Sequence, residues 1–329
     1  KEMLPQFAKD VLYGLKSKNL VVGFTIFIIG LFKKVVLADG IAVHATSVFA
    51  GAEHGIYLTF FEAWSGALAY AFQLYFDFSG YSDMAIGLAR MFGITLPLNF
   101  SSPCKANNIA VFWRRWHITL SRLIKDYLFY PIALSLTRYA VIRNYGSISL
   151  FILTILLPTM FAYFWVGLWH GAGWNFILFG LAHGTYIVIY SAWVKIKKKI
   201  PDNSVIKSTV VANSIGRVIT FLAVVLAFVP FRAESMDGTR NMLATMLGGH
   251  GLSLSPSLIG GFGNAERWLL EHGVVFDGMF HNHVFGADPK WGIAWVVALF
   301  LASTLLPNTQ QLLRRYRPAL ETYENEVPR

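Results

Sequence analysis

Apolar runs far longer than a soluble core requires recur along this chain. A helix needs roughly 20 mostly apolar residues to cross the hydrocarbon layer of a bilayer, about 30 Å thick, at about 1.5 Å per residue. The longest run, 144–194, has 51 residues without one Asp, Glu, Lys or Arg. That length predicts two spans folded as a hairpin, with the turn near Trp169-His170-Gly171-Ala172-Gly173, where glycine disfavours helix. Pro158 interrupts the first of these spans and is placed to kink it. Further spans are predicted over 20–38, with Lys33 and Lys34 near its end, over 55–76, interrupted by Glu62, over 209–229, interrupted by Arg217, and over 291–306, at the short end of the range. The fold class that follows is all-α: a polytopic helical membrane protein.

Composition agrees. Of 329 residues, 55% are hydrophobic, 16% aromatic and only 14% charged, with mean hydropathy +0.50. Disordered, collagenous and coiled-coil chains all need more polar or more periodic sequence and are excluded. No internal repeat or second soluble domain interrupts the chain, which reads as one membrane-embedded domain over 1–329. A net charge of +10 would point to nucleic acid in a soluble protein, so the placement of the charges decides.

Short cytoplasmic loops collect Lys and Arg. Lys195, Lys197, Lys198 and Lys199 close the long apolar run and Arg314, Arg315 and Arg317 follow the last span, so both clusters are expected inside. Between them, 231–290 has four basic and six acidic residues and is expected on the opposite, extracytoplasmic face. From Arg90 to Arg143 there are eight basic residues against one acidic residue, Asp126. That stretch is too aromatic for a loop and reads as amphipathic or partly re-entrant helices at the cytoplasmic interface. Nucleic acid is thereby removed as a partner and membrane lipid takes its place. The charges at the first span are ambiguous, because Lys16 and Lys18 precede it while Lys33 and Lys34 lie near its other end. The chain opens at Lys1 with no initiator Met and reads as a truncated or renumbered chain.

Ionisable groups at membrane depth are costly, so each is a functional hypothesis. His170 stands in the uncharged run, between glycines that permit close backbone approach and two tryptophans, Trp169 and Trp174, able to wall a pocket. Imidazole accepts and returns a proton near neutral pH, although a histidine bonded to a carbonyl at the interface fits the same pattern. His183 reads as a packing or polar-glue residue. In Phe112-Trp113-Arg114-Arg115-Trp116-His117-Ile118-Thr119-Leu120-Ser121, a helix would put Arg114, His117, Ser121 and Lys125 on one face. Paired guanidinium forks suit phosphate oxygens; a basic belt holding lipid headgroups reads equally well. Asp77 and Asp83, with Ser79, Ser82, Tyr75 and Tyr81, form a third polar group, able to orient a base or to satisfy a broken helix. No metal-ligand spacing is present, and His281 and His283 are too sparse to argue one. The single cysteine, Cys104, excludes an internal disulfide and reads as an interfacial thiol, for which acylation has weak support.

The run from Phe72 to Gly87, then Asn99-Phe100, then Phe112 to His117, then Trp169-His170-Gly171 resembles the membrane-bound O-acyltransferase family, and within it the bacterial alginate O-acetylation branch. The resemblance implies helices around a tunnel, a multi-pass protein of the bacterial inner membrane, and N-terminal spans preceding Leu4-Pro5-Gln6-Phe7. It implies His170 as the catalytic residue, acting as general base, and His117 as a second functional histidine. Trp113, Arg114, Arg115, Trp116, Ser121, Asp77, Trp169 and Asn175 would then hold the donor or line the tunnel. It also implies acetyl-coenzyme A as the acyl donor with no bound cofactor and no metal, an exported polysaccharide as the acceptor, and a periplasmic partner protein between them. On that reading His117 and His170 would sit toward opposite mouths of the tunnel. Two other classes stay open: an ion- or proton-coupled transporter relaying charge through Asp77, His117 and His170, and a non-catalytic membrane scaffold docking through 231–290.

Overall fold

The computed structural model describes residues 4–7, 16–198, 209–263, 265–280 and 289–320. Lys199, His281 and His283 lie outside the described residues. In chain order the helices are α1 (Leu4–Phe7), α2 (Ser17–Glu53), α3 (Phe60–Met91), α4 (Ile109–Trp113), α5 (Ile118–Ile124), α6 (Tyr130–Ile142), α7 (Ser147–His170), α8 (Trp174–Lys197), α9 (Thr209–Arg232), α10 (Met236–Met246), α11 (Ala265–Glu271), α12 (Pro289–Leu305) and α13 (Thr309–Leu312). Strands β1 (Leu252–Ser253) and β2 (Val274–Val275) pair in parallel and are a small addition to an all-α polytopic membrane protein. The segments Ser17–Glu53, Ser147–His170, Trp174–Lys197 and Val210–Arg232 are each long and apolar enough to cross a bilayer, while Pro289–Leu305 is shorter. The hairpin expected in the uncharged run is α7–α8.

Two departures concern where helices begin and how far they run. Glu62 does not interrupt a span. Its carboxylate accepts from the Thr59 amide at 2.8 Å while the Thr59 hydroxyl accepts from the Glu62 amide at 3.1 Å. That reciprocal capping box starts α3 at Phe60, and the helix then continues unbroken to Met91. Asp77 and Asp83 therefore lie inside an intact helix, and the broken-helix reading of their segment is wrong.

The second departure is in the basic stretch. Helix runs without a break from Ile118 through a π-helical turn, Lys125–Phe129, to Ile142. Its later part packs against 147–156 and its π turn against α7, so this part of the stretch is one continuous helix lying along α7. Arg114 and Arg115 precede it and Arg138 and Arg143 close it, roughly 37 Å apart at about 1.5 Å per residue.

Pro158 is accommodated without ending the helix. The Leu157 amide donates to the Ile152 carbonyl, five residues back, and this π turn precedes the proline. Pro131 is handled identically, with the Tyr130 amide donating to the Lys125 carbonyl.

The chain divides into two compact units, one of Lys1–Lys33, Phe78–Val224 and Ser303–Arg329, the other of Lys34–Asp77 and Val225–Ala302. In the first, α2 and α3 meet through glycine. A Cβ on Gly23 would strike the Gly87 carbonyl at 2.5 Å, and one on Gly30 the Gly80 carbonyl at 2.6 Å. Small residues let backbones approach where lipid supplies no hydrophobic drive. In the second unit, Glu53 caps α10 by accepting from the Ser235 hydroxyl at 2.5 Å and the Glu234 amide at 2.8 Å. Arg232 lies over the rings of Phe49 and Tyr70, 5.6 and 6.0 Å from their centroids.

Candidate functional site

The site begins at the α7–α8 turn. The two helices cross where a Cβ on Gly167 would meet the Phe176 carbonyl and one on Gly180 the Tyr163 carbonyl. A Cβ on Gly171 would enter the Phe176 ring, which would have to shift to admit it. His170 is half-buried, its ring 4.8 Å from that of Trp169 and 5.6 Å from Phe179. Neither tryptophan forms a buried wall: Trp169 is 64% exposed and Trp174 72%. Asn175 is buried in the first turn of α8. His183 is fully buried, its ring 4.8 Å from Phe179, 5.0 Å from Trp113 and 6.2 Å from Phe112, which matches a packing role.

The second part comes from 108–124. The Asn108 side chain caps α4 by accepting from the Val111 amide at 2.9 Å. The chain then turns, and His117 takes φ 42°, a left-handed conformation that a helix cannot pass through. Arg114, His117, Ser121 and Lys125 therefore do not share a helical face, and the spacing argument for them fails. Asn99 holds the turn. Its carbonyl accepts from the Ile118 amide at 3.1 Å, and its side chain accepts from the Thr119 hydroxyl at 2.7 Å and amide at 3.2 Å. Sequence reasoning gave Asn99 no role, because a cap reached from 20 residues away leaves no local signature.

So held, the His117 ring sits edge-on to Phe78 at 4.8 Å and 6.5 Å from Trp169. Its Nδ1 is buried with no hydrogen-bond partner among the described residues. Burial, with His170 nearby, pushes His117 down to about 4, so at neutral pH it is an uncharged imidazole. His117 and His170 thus flank one indole. The expectation that they occupy opposite mouths of a tunnel is replaced by a paired arrangement, because the left-handed turn brings His117 to the end of the hairpin.

The remaining candidates divide. Arg115 donates to the Ser102 carbonyl at 3.5 Å, and its guanidinium is pushed below its ordinary value by burial and by the neighbouring charges of Arg114 and Arg217. Arg217 is the residue sequence reasoning undervalued: as an arginine inside a span it was already a signal. Trp116 is packed among Phe112, Phe100 and Phe78. Trp113 and Ser121 line a cavity of about 190 Å³ with Lys125, Thr159, Tyr163 and Ser191. Asp77 belongs to the other unit, where it pairs with Lys34 at 2.7 Å. Cys104 is half-buried, and burial pushes its thiol up to about 11, so it is protonated at neutral pH. Among the described residues no group of three or more His, Cys, Asp or Glu is placed to hold a metal ion.

Residues 4–229 match the MBOAT family, the membrane-bound O-acyltransferases. The chain belongs to that family. Both imidazoles, the shared indole and the three arginines, Arg114, Arg115 and Arg217, lie inside the matched stretch. The chain is 42% identical over 254 residues to a Helicobacter pylori protein named peptidoglycan O-acetyltransferase, covering 77% of this chain and 44% of that protein. It is 42% identical over 224 residues to an Azotobacter vinelandii protein named probable alginate O-acetylase AlgI, covering 68% and 40%. To a Streptococcus thermophilus protein named teichoic acid D-alanyltransferase it is 34% identical over 174 residues, covering 49% and 39%. The chain thus spans less than half the length of each of these relatives.

Proposed function

We propose that this chain carries the acyl-transfer centre of a multi-pass bacterial inner-membrane enzyme that acetylates an exported polysaccharide. The donor is a thioester, acetyl-coenzyme A, approached from the cytoplasm, and a periplasmic partner protein takes part in delivery to the polymer. The observation that carries this reading is the pair of half-buried imidazoles, His170 and His117, about Trp169. The relatives' names add that small acyl groups are moved onto peptidoglycan, alginate or teichoic acid.

In the proposed step His170 takes the proton of the acceptor hydroxyl as its oxygen attacks the thioester carbonyl. The C–O bond forms, the C–S bond breaks, and His170 returns the proton to the departing thiolate. His117, uncharged at neutral pH, is suited to donate a hydrogen bond to the oxyanion of the tetrahedral intermediate. Arg114, Arg115 and Arg217 supply positive charge for an anionic donor.

The test is transfer of label from radiolabelled acetyl-coenzyme A to polymer in membranes holding the whole protein. His170→Ala should remove transfer by at least about 100-fold, the range of a lost general base, with insertion unchanged. Near-normal transfer by a well-inserted variant would exclude His170 from the chemistry.

A further inference from the structure

Away from the histidines, positive charge collects around a second feature of the same unit. Lys18 at the start of α2, Arg90 at the end of α3, and Arg314, Arg315 and Arg317 beyond α13 line one open basin of about 710 Å³, with Tyr316 among them. The arginine segment is fixed at both ends. Before it, Thr309 donates to Asp83 at 2.6 Å; after it, the Leu320 amide donates to the Leu96 carbonyl at 2.9 Å and Ala319 is buried against Val22, Ile26 and Ile86. Arg317 takes φ 45°, a strained choice for a residue other than glycine.

Arg90 reaches the Thr95 hydroxyl at 3.2 Å and the Tyr316 carbonyl at 3.5 Å, yet its Nε is buried with no hydrogen-bond partner among the described residues. Lys18 sits 5.6 Å over the Tyr316 ring. Among the described residues none of the five cations has a carboxylate partner, whereas Lys33, Lys34, Arg122 and Arg232 each have at least one. Like charges gathered by the fold repel one another unless an anion joins them.

We propose that this basin is a binding site for a phosphate-bearing ligand. Guanidinium forks match phosphate oxygens two at a time, and five cations call for more than one negative charge or for several ligands. The same chemistry is offered by the headgroup of an anionic phospholipid and by a soluble organic phosphate. Arg314, Arg315 and Arg317 lie outside the stretch matched to the family, and the site is read by binding alone, so it does not depend on the acyl-transfer proposal.

The experiment places the whole protein in nanodiscs and has two arms. Phosphatidylglycerol retained from mixed phosphatidylglycerol and phosphatidylcholine discs is counted by native mass spectrometry, and labelled pyrophosphate is titrated into discs of phosphatidylcholine alone. Arg314 and Arg315 are exposed, so Arg314→Glu with Arg315→Glu should leave the melting temperature unchanged. That variant should weaken binding in at least one arm by about tenfold or more, with the loss reproduced in wild type at high salt. The arm that responds names the source. Should the reversed variant melt early, Arg314→Gln with Arg315→Gln is expected to weaken binding in the same direction. Binding in neither arm overturns the proposal. So does an equal loss from reversing Arg138 and Arg143, which would indicate diffuse surface charge. Binding that emerges only when Glu321, Glu324 and Glu326 are changed to Gln also overturns it, since the basin's anion would then be the chain's own.

Discussion

His117 combines a left-handed backbone, an aromatic edge contact and a buried Nδ1, and its burial, with His170 nearby, raises the cost of placing a charge there. Its ordinary value is 6.5 and its folded value about 4, so folding disfavours the proton. The stability it leaves intact above pH 6.5 is lost as pH falls from there toward about 4, because the unfolded chain takes up the proton first. Melting of the detergent-solubilised protein should therefore fall across that window, and His117→Gln should flatten part of the fall. An unchanged acid limb in that variant would show that His117 is charged or solvated in the folded state. At this scale the sequence was informative about which residues to single out. His170 stood out in an uncharged run and His117 as an imidazole beside two arginines, whereas Arg217 registered only as an interruption of a span. What it hid was their relation: periodicity assumed a helix through Arg114–Ser121, and one left-handed residue removed it.

Among the elements, the hairpin was legible from 51 uncharged residues, but its closeness was not. Glycine in sequence signals either a turn or a contact, and only the partner helix distinguishes them. Gly180 faces the Tyr163 carbonyl, so Gly180→Ala forces backbone apart and should cost about 1–3 kcal/mol, as overpacking does. Gly173, a few residues earlier, has φ −90° and would present its Cβ only to the Phe176 ring at an ordinary 3.7 Å. Gly173→Ala is the matched control and should be neutral within a few tenths of a kcal/mol. Equal denaturation midpoints for the two variants would mean that α7 and α8 do not meet through Gly180. The prolines teach a related lesson. The chain widens into a π turn before both Pro131 and Pro158, a local device that residue spacing does not reveal.

Across the whole molecule, the signal most misread was the Lys33–Lys34 pair. Taken as loop charges, these lysines left the topology of the first span ambiguous; they are instead counter-charges for two of the carboxylates of α3, Lys33 for Asp83 and Lys34 for Asp77. Neither partner is visible from local sequence, since 50 residues separate Lys33 from Asp83. Asp83 has a further reach: it accepts from Thr309, 226 residues away, and Lys33 donates to the same hydroxyl at 2.9 Å. This buried network ties the first long helix and α3 to α13 within one unit. Breaking it from one side should therefore be worse than removing it. Lys33→Met leaves an uncompensated buried carboxylate and should cost about 3–5 kcal/mol, whereas Lys33→Met with Asp83→Asn should recover most of that loss. Denaturation midpoints in detergent for the two single variants and the double variant decide it. Additive losses would mean that Lys33 and Asp83 are each solvated and that the ends of this unit are held by apolar packing alone.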